Sequence, residues 1–253
     1  MTMNYARDLF SLKGILFSFL LAGCVCPVVA QEWESITPPV VDAPAVVEFF
    51  SFYCPPCYAF SQTMGVDQAI RHVLPQGSRM VKYHVSLLGP LGHELTRAWA
   101  LAMVMKETDV IEKAFFTAGM VEKRLHSPDD VRRVFMSATG ISRGEYDRSI
   151  KSPAVNDMVA LQERLFKEYG VRGTPSVYVR GRYHINNAAF GAFSVENFRS
   201  RYAAVVRKLL AGNLMQTDDK GTIQAGDILP LRALILLLLT SVFISGFLTG
   251  SWS

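Results

Sequence analysis

Residues 43–53, APAVVEFFSFY, form a β-branched and aromatic run with prolines at its borders, which predicts a buried strand. Directly downstream, YAFSQTMGVDQAIRHVL (58–74) carries apolar residues at helical spacing and stops at Pro75, so a helix is predicted there. SRMVKYHVSLL (78–88) predicts a second strand, ended by the turn signal GPLG. A helical block follows, with HELTRAWALAMVMKE and DVIEKAFFTAG as its first two candidates. Ser127 is an N-cap with Pro128 at the first helical position, opening DDVRRVFMSAT, and Gly140 closes that helix. Ser152 and Pro153 repeat the device for a helix that runs to Tyr169 and stops at Gly170. The stripes Val131, Val134, Phe135, Ala138 and Val155, Met158, Val159, Phe166 face a core. Sheet returns at TPSVYVRGRYHI, where Arg180-Gly181-Arg182 reads as a hairpin turn. Ser194 opens a last amphipathic helix, VENFRSRYAAVVRKLLA, ending near Gly212. The order is that of an α/β domain interrupted by an all-helical insertion.

The two ends of the chain carry a different pattern. Arg7 and Lys13 precede a short apolar core, GILFSFLLAG, and VVA (28–30) offers small residues for cleavage before Gln31. Residues 1–30 therefore read as a secretion signal. LAGC (21–24) also matches a lipobox, in which Cys24 would be lipidated and become the new N-terminus. Either cut exports the chain to a compartment that tolerates disulfides. At the other end, a polar linker (213–229) leads into a hydrophobic tail (230–253), in which residues 233–252 carry no charge. That length spans a bilayer, and the tail is expected to be a membrane anchor.

Composition narrows the function further. The chain has 253 residues, half of them hydrophobic, enough for one large domain with an insertion. A net charge of +4, with no Lys/Arg run interleaved with aromatics, argues against a nucleic-acid partner. No internal repeat or low-complexity tract is present.

The chemistry concentrates in EFFSFYCPPCYAF (48–60), where Cys54 and Cys57 stand three positions apart between a predicted strand and a predicted helix. A zinc site needs two further ligands. The other two cysteines, Cys24 and Cys26, lie in the signal segment, and the five histidines show no paired spacing. A purely structural disulfide across so short a loop would constrain little of the unfolded chain. A redox pair fits best. At a helix N-terminus the unpaired N–H groups and the macrodipole favour negative charge, which makes Cys54 a thiolate and a good leaving group. Cys57, one turn further, is placed to resolve a mixed disulfide on Cys54. Pro55 and Pro56 suit the first helical turn, where their missing N–H groups break no helical bond. Pro56 does remove one donor that could reach the Cys54 sulfur.

With EFFSFYCPPCYAF, MVKYHV and RGTPSVYVRGRY in this order, the chain resembles the DsbA-type periplasmic thiol:disulfide oxidoreductases, and its CPPC form looks most like the SrgA-type paralogues. The likeness runs over residues 31–210. It implies a thioredoxin fold formed by residues 31–90 and 170–212, with residues 91–169 as the helical insertion domain. It also implies a nucleophilic Cys54, a resolving Cys57, and a cis Pro175 beside the disulfide. With cis geometry, Thr174 would offer backbone groups to an extended substrate. Glu48 and Lys82 look like the family's buried acid and its partner, able to tune the cysteines or move protons. The residues by themselves also allow a surface ion pair. Two features depart from the family pattern: Pro56 replaces the usual histidine, and the hydrophobic tail is not usual for soluble proteins.

The expected function is a dithiol oxidase that donates the Cys54–Cys57 disulfide to reduced exported proteins, with no metal or organic cofactor. By resemblance it is reoxidised by a DsbB-like quinone-linked membrane oxidase. The expected location is the periplasm, membrane-anchored if the tail spans, and the expected state is a monomer. The alternatives are a disulfide reductase or isomerase, and a chaperone-like peptide binder with a structural disulfide.

Overall fold

Five strands form one mixed sheet in the order β1-β5-β4-β2-β3: β1 Trp33–Ser35, β2 Val46–Phe50, β3 Met80–His84, β4 Ser176–Val179 and β5 Tyr183–Ile185. This is the computed structural model of the protein, and it describes residues 30–191 and 194–212. The segment expected to be a secretion signal, with Cys24 and Cys26, and the expected linker and apolar tail lie outside the described residues. Among the described residues, no helix is long and apolar enough to cross a membrane.

Strand β2 is buried on both faces, as its unbroken run VVEFF requires. It pairs parallel to β3, with Glu48 opposite Lys82, and antiparallel to β4, with Phe49 opposite Ser176. Alternation along β2 sends Val47 and Phe49 into an apolar cluster with Tyr83, Leu165, Tyr169 and Tyr178. Phe50 joins the other cluster, which also holds Phe52, Cys54, Cys57, Trp99, Phe115 and Phe116. The cysteines thus sit at the edge of the core that the sheet shares with the helical block.

Between β3 and β4 the chain is helical: α3 Gly92–Met105, α4 Thr108–Phe116, α5 Pro128–Thr139, α6 Arg143–Ser149 and α7 Pro153–Glu168. The fold is a thioredoxin fold interrupted by this all-helical insertion. Ser127 and Ser152 cap α5 and α7 through their side chains, each with proline at the start of the helix. Gly140 and Gly170 end them with left-handed backbone. A further helix, α8 Val195–Ala211, follows the sheet, and Ser194 Oγ accepts the Asn197 N–H at its start. The β4–β5 hairpin turns over residues 180–182, with Arg180 (φ 56°) and Gly181 (φ 61°) both left-handed. A Cβ at position 181 would stand 2.3 Å from the Val40 carbonyl oxygen, so glycine is required there twice over.

Three elements depart from the sequence reading. The helix predicted over 58–74 occurs in three pieces: α1 Pro55–Tyr58, a wider π-helical turn Ala59–Thr63, and α2 Val66–Val73. Gly65, with left-handed backbone at φ 64°, breaks the helix before α2. Helix α6 was not anticipated, although Ser142 and Glu145 form its capping box and spell the S-x-x-E signal in the sequence. Strand β1, three residues long, carries too little pattern to read.

Candidate active site

Strand β2 delivers the chain to Cys54, which has extended backbone and acts as the N-cap of α1. Pro55 and Pro56 occupy the first two helical positions, as their fixed φ allows. The first N–H able to reach back is therefore that of Cys57, which donates to Cys54 Sγ at 3.1 Å. Cys54 and Cys57 are joined by a disulfide with their Cα atoms 5.2 Å apart. Of the two, Cys54 retains more exposure, 5% against 1%.

The loop before β4 closes over that sulfur. The Thr174–Pro175 bond is cis, and the Thr174 carbonyl oxygen lies 3.3 Å from Cys54 Sγ, across 120 residues of sequence. Ser176 Oγ donates to the Gly173 carbonyl at 2.7 Å, tying the loop across its own bend. Next to Cys54 in the chain stands Tyr53, whose phenol oxygen accepts the Leu91 N–H at 3.3 Å. Gly89 rests against the Tyr53 ring so closely that a Cβ would meet it at 2.3 Å. The same loop exposes Leu87 and Leu88 to solvent.

Beneath the site, the Phe52 N–H donates to His84 Nε2 at 3.2 Å. That leaves the ring proton on Nδ1, which faces Thr96 Oγ1 at 2.7 Å. Burial pushes the His84 imidazole down to about 3, so it stays neutral across the working pH range. Gln162 Oε1 accepts the His84 N–H at 2.9 Å, joining α7 to β3 at this point.

Glu48 and Lys82 are a buried pair and not a surface one. Lys82 Nζ lies 3.1 Å from Glu48 Oε2 and 2.8 Å from Glu112 Oε1, and it also bonds Asp67 Oδ2. All four residues are buried. One ammonium thus faces three carboxylates, from β2, α2 and α4. Burial alone would lower Lys82, but the charges of Asp67, Glu48 and Glu112 outweigh it and hold it raised. Glu48 is pushed well up, first by burial and then by Asp67, with Lys82 opposing. Beyond the ion pair of Glu48 Oε2 with Lys82, neither Glu48 oxygen nor Asp67 Oδ1 has an aligned hydrogen bond. A proton kept on Glu48 and donated toward Asp67 satisfies that arrangement. Lys82 Nζ also stands 4.9 Å from the Phe50 ring, which belongs to the cysteines' own cluster.

The structure therefore gathers Cys54, Cys57, Pro55, Pro56, Thr174 and Pro175 at one surface, with Glu48 and Lys82 in the interior. Asp67, Glu112 and His84 were missed by the sequence reading. Asp67 and Glu112 carry a weak signal in retrospect, as acids on apolar helices; His84 carries none beyond its place at the end of a buried strand.

An N-capping disulfide in CxxC spacing, faced by a cis-proline loop on a thioredoxin sheet, defines the class: a thiol:disulfide oxidoreductase. Comparison with known proteins agrees. Residues 45–203 match the model of the DSBA-like thioredoxin domain. The chain is 37% identical over 201 residues to the thiol:disulfide interchange protein DsbA of Pectobacterium carotovorum subsp. carotovorum, covering 79% of this chain and 96% of that one. It is 39% identical over 180 residues to DsbA of Yersinia pestis, covering 71% and 86%. Among solved structures, the disulfide oxidoreductase DsbA from Proteus mirabilis superposes with a TM-score of 0.68 at 37% identity, covering 72% of this chain and 96% of that one. A cysteine-to-serine variant of that protein, bound non-covalently to a peptide, gives a TM-score of 0.69 at 36% identity, covering 72% and 97%. The chain belongs to the DSBA-like thioredoxin family, and it is a disulfide oxidoreductase.

Proposed function

We propose that the protein is a dithiol oxidase that donates its Cys54–Cys57 disulfide to reduced exported proteins in the periplasm. The observation that carries this reading is the oxidised pair itself. Its N-terminal cysteine keeps the greater exposure, and that residue's sulfur faces the Thr174 carbonyl beside cis-Pro175. A substrate thiolate attacks Cys54 Sγ; the bond to Cys57 breaks and Cys57 leaves as a thiolate. A second substrate thiolate attacks the substrate sulfur of this mixed disulfide, and Cys54 leaves. Two electrons pass from the substrate dithiol to the enzyme, and the two substrate protons pass to the reduced pair or to solvent. The N-terminus of α1 and the Cys57 N–H favour Cys54 as the leaving group.

Thr174 serves as a docking edge for an extended chain, and exposed Leu87 and Leu88 add an apolar lip suited to unfolded polypeptide. Glu48 and Lys82, with their two further carboxylates, set the charge beneath the site. Reoxidation falls to a DsbB-like quinone-linked membrane protein, and the apolar C-terminal tail anchors a monomeric enzyme near that partner.

The test is the equilibrium of the mature chain with glutathione buffers, together with oxidation of a reduced peptide by wild type and Cys54→Ala. A strongly oxidising couple and complete loss of oxidation in the variant are expected. A potential near the about −270 mV of reducing thioredoxins would assign a reductase or isomerase instead. Retained function in Cys54→Ala would assign a peptide binder.

A further inference from the structure

Strands β4 and β5 pair with Tyr178 opposite His184 and Val179 opposite Tyr183. Extended past the end of β5 at Ile185, that register sets position 187 opposite position 175. The chain leaves the strand before reaching it: Asn186 caps a 3-10 turn, Asn187–Phe190. The Asn187 side chain takes the place of the missing ladder donor, and its Nδ2 donates to the Pro175 carbonyl at 2.7 Å. The amide is held at its other end as well. Tyr202 Oη, from α8, donates to Asn187 Oδ1 at 2.9 Å, which leaves the NH2 group facing Pro175. The Tyr202 ring is fully buried, stacked on Phe190 at 4.9 Å and edge-on to Phe60 at 5.1 Å. Phe60 lies three residues beyond Cys57, on the continuation of the redox helix. One brace therefore joins the cis-proline loop, α8 and the helical segment that carries the cysteines.

We propose that Asn187, oriented by Tyr202, is a positioning residue that holds the Pro175 loop, and through it the Thr174 carbonyl, against Cys54 where the substrate chain docks. The inference rests on the reading of Thr174 as a docking edge. The brace has two consequences. A loop held in place binds an extended peptide without first having to be ordered. It also keeps a carbonyl oxygen beside a sulfur that becomes anionic, so loosening the brace should make the Cys54 thiolate easier to form.

The experiment uses full-length protein, Asn187→Ala, Asn187→Asp and Tyr202→Phe, with a reduced dithiol peptide as the probe. Saturation kinetics, the pH profile of Cys54 alkylation and thermal melting are read in parallel. Asn187→Ala is expected to raise KM roughly fivefold, the worth of one ordinary hydrogen bond, with a smaller change in kcat. Its alkylation profile moves to lower pH. Tyr202→Phe keeps the ring and should shift both readouts the same way by less. Asn187→Asp, which turns an acceptor toward the Pro175 carbonyl, should raise KM as much as Asn187→Ala or more, while its added negative charge opposes the shift of the alkylation profile. Lower melting temperatures with unchanged KM and alkylation profile would overturn the proposal and leave Asn187 as scaffold. If Asn187→Ala fails to fold, Tyr202→Phe decides the matter by the same two readouts. Failure of the oxidase reading looks different: wild type itself then shows no saturable, Cys54-dependent oxidation of the peptide.

Discussion

Pro56 is the residue at which the geometry and the chemistry of this site meet most directly. At an N-cap, the side chain accepts from the second or third helical N–H. Here the second position is proline, so the Cys54 sulfur has the Cys57 N–H at 3.1 Å and no donor from position 56. Replacing Pro56 with histidine restores that N–H and adds a side chain that can carry positive charge beside the sulfur. Pro56→His is expected to lower the Cys54 pKa and make the couple more oxidising, read from thiolate absorbance at 240 nm and from the glutathione equilibrium. An unchanged or raised pKa would show that the Cys57 N–H already supplies all the stabilisation the sulfur can use.

At the scale of elements, His84 is the pin. It ends β3, holds the backbone of Phe52 two residues before Cys54, and touches Thr96 on α3, while its own N–H is held by Gln162 on α7. Its neutrality carries a pH signature with a definite sign. The unfolded chain binds a proton at an ordinary histidine near 6.5, whereas the folded chain resists until about 3. Between those values the unfolded state holds more protons, so stability is lost as pH falls through that window. One such group contributes at most about 1.4 kcal/mol per pH unit there. Denaturant melts at pH 7, 6 and 5 should show a flatter acid decline for His84→Gln than for wild type, whatever the variant loses at pH 7. Equal slopes would mean that His84 is charged in the folded protein.

Across the whole molecule, the buried charges around Lys82 tie the two parts of the fold together. Glu48 and Lys82 belong to the sheet and Asp67 to α2, whereas Glu112 comes from α4 of the helical insertion. Removing the ammonium leaves three acidic side chains facing one another in the interior, with the Glu48 proton as their only relief. Lys82→Met is expected to cost roughly 3–5 kcal/mol, since breaking a buried network strands its charges. In a chain of this size that is a fall in Tm on the order of 10 °C. The deficit should shrink on acidification, because protonating the stranded carboxylates relieves them. A deficit that stays constant from pH 7 to pH 5 would show that the carboxylates are already neutral or have found water.

The amino-acid sequence by itself determined the local events of this protein. The caps at Ser127 and Ser152, the left-handed stop at Gly170, the Arg180-Gly181 turn and the CPPC helix start all follow from the steric and hydrogen-bonding limits of a few adjacent residues. The family motifs added the cis bond before Pro175, which spacing alone could not supply. Tertiary structure decided whatever depends on residues far apart in the chain. It buried Glu48 against Lys82 through the parallel register of β2 and β3, and recruited Asp67 and Glu112 to them. It also set Asn187 where the β4–β5 ladder runs out. A polar residue reads the same in sequence whether water or another buried group will satisfy it, and only the packed fold removes the water and makes the choice.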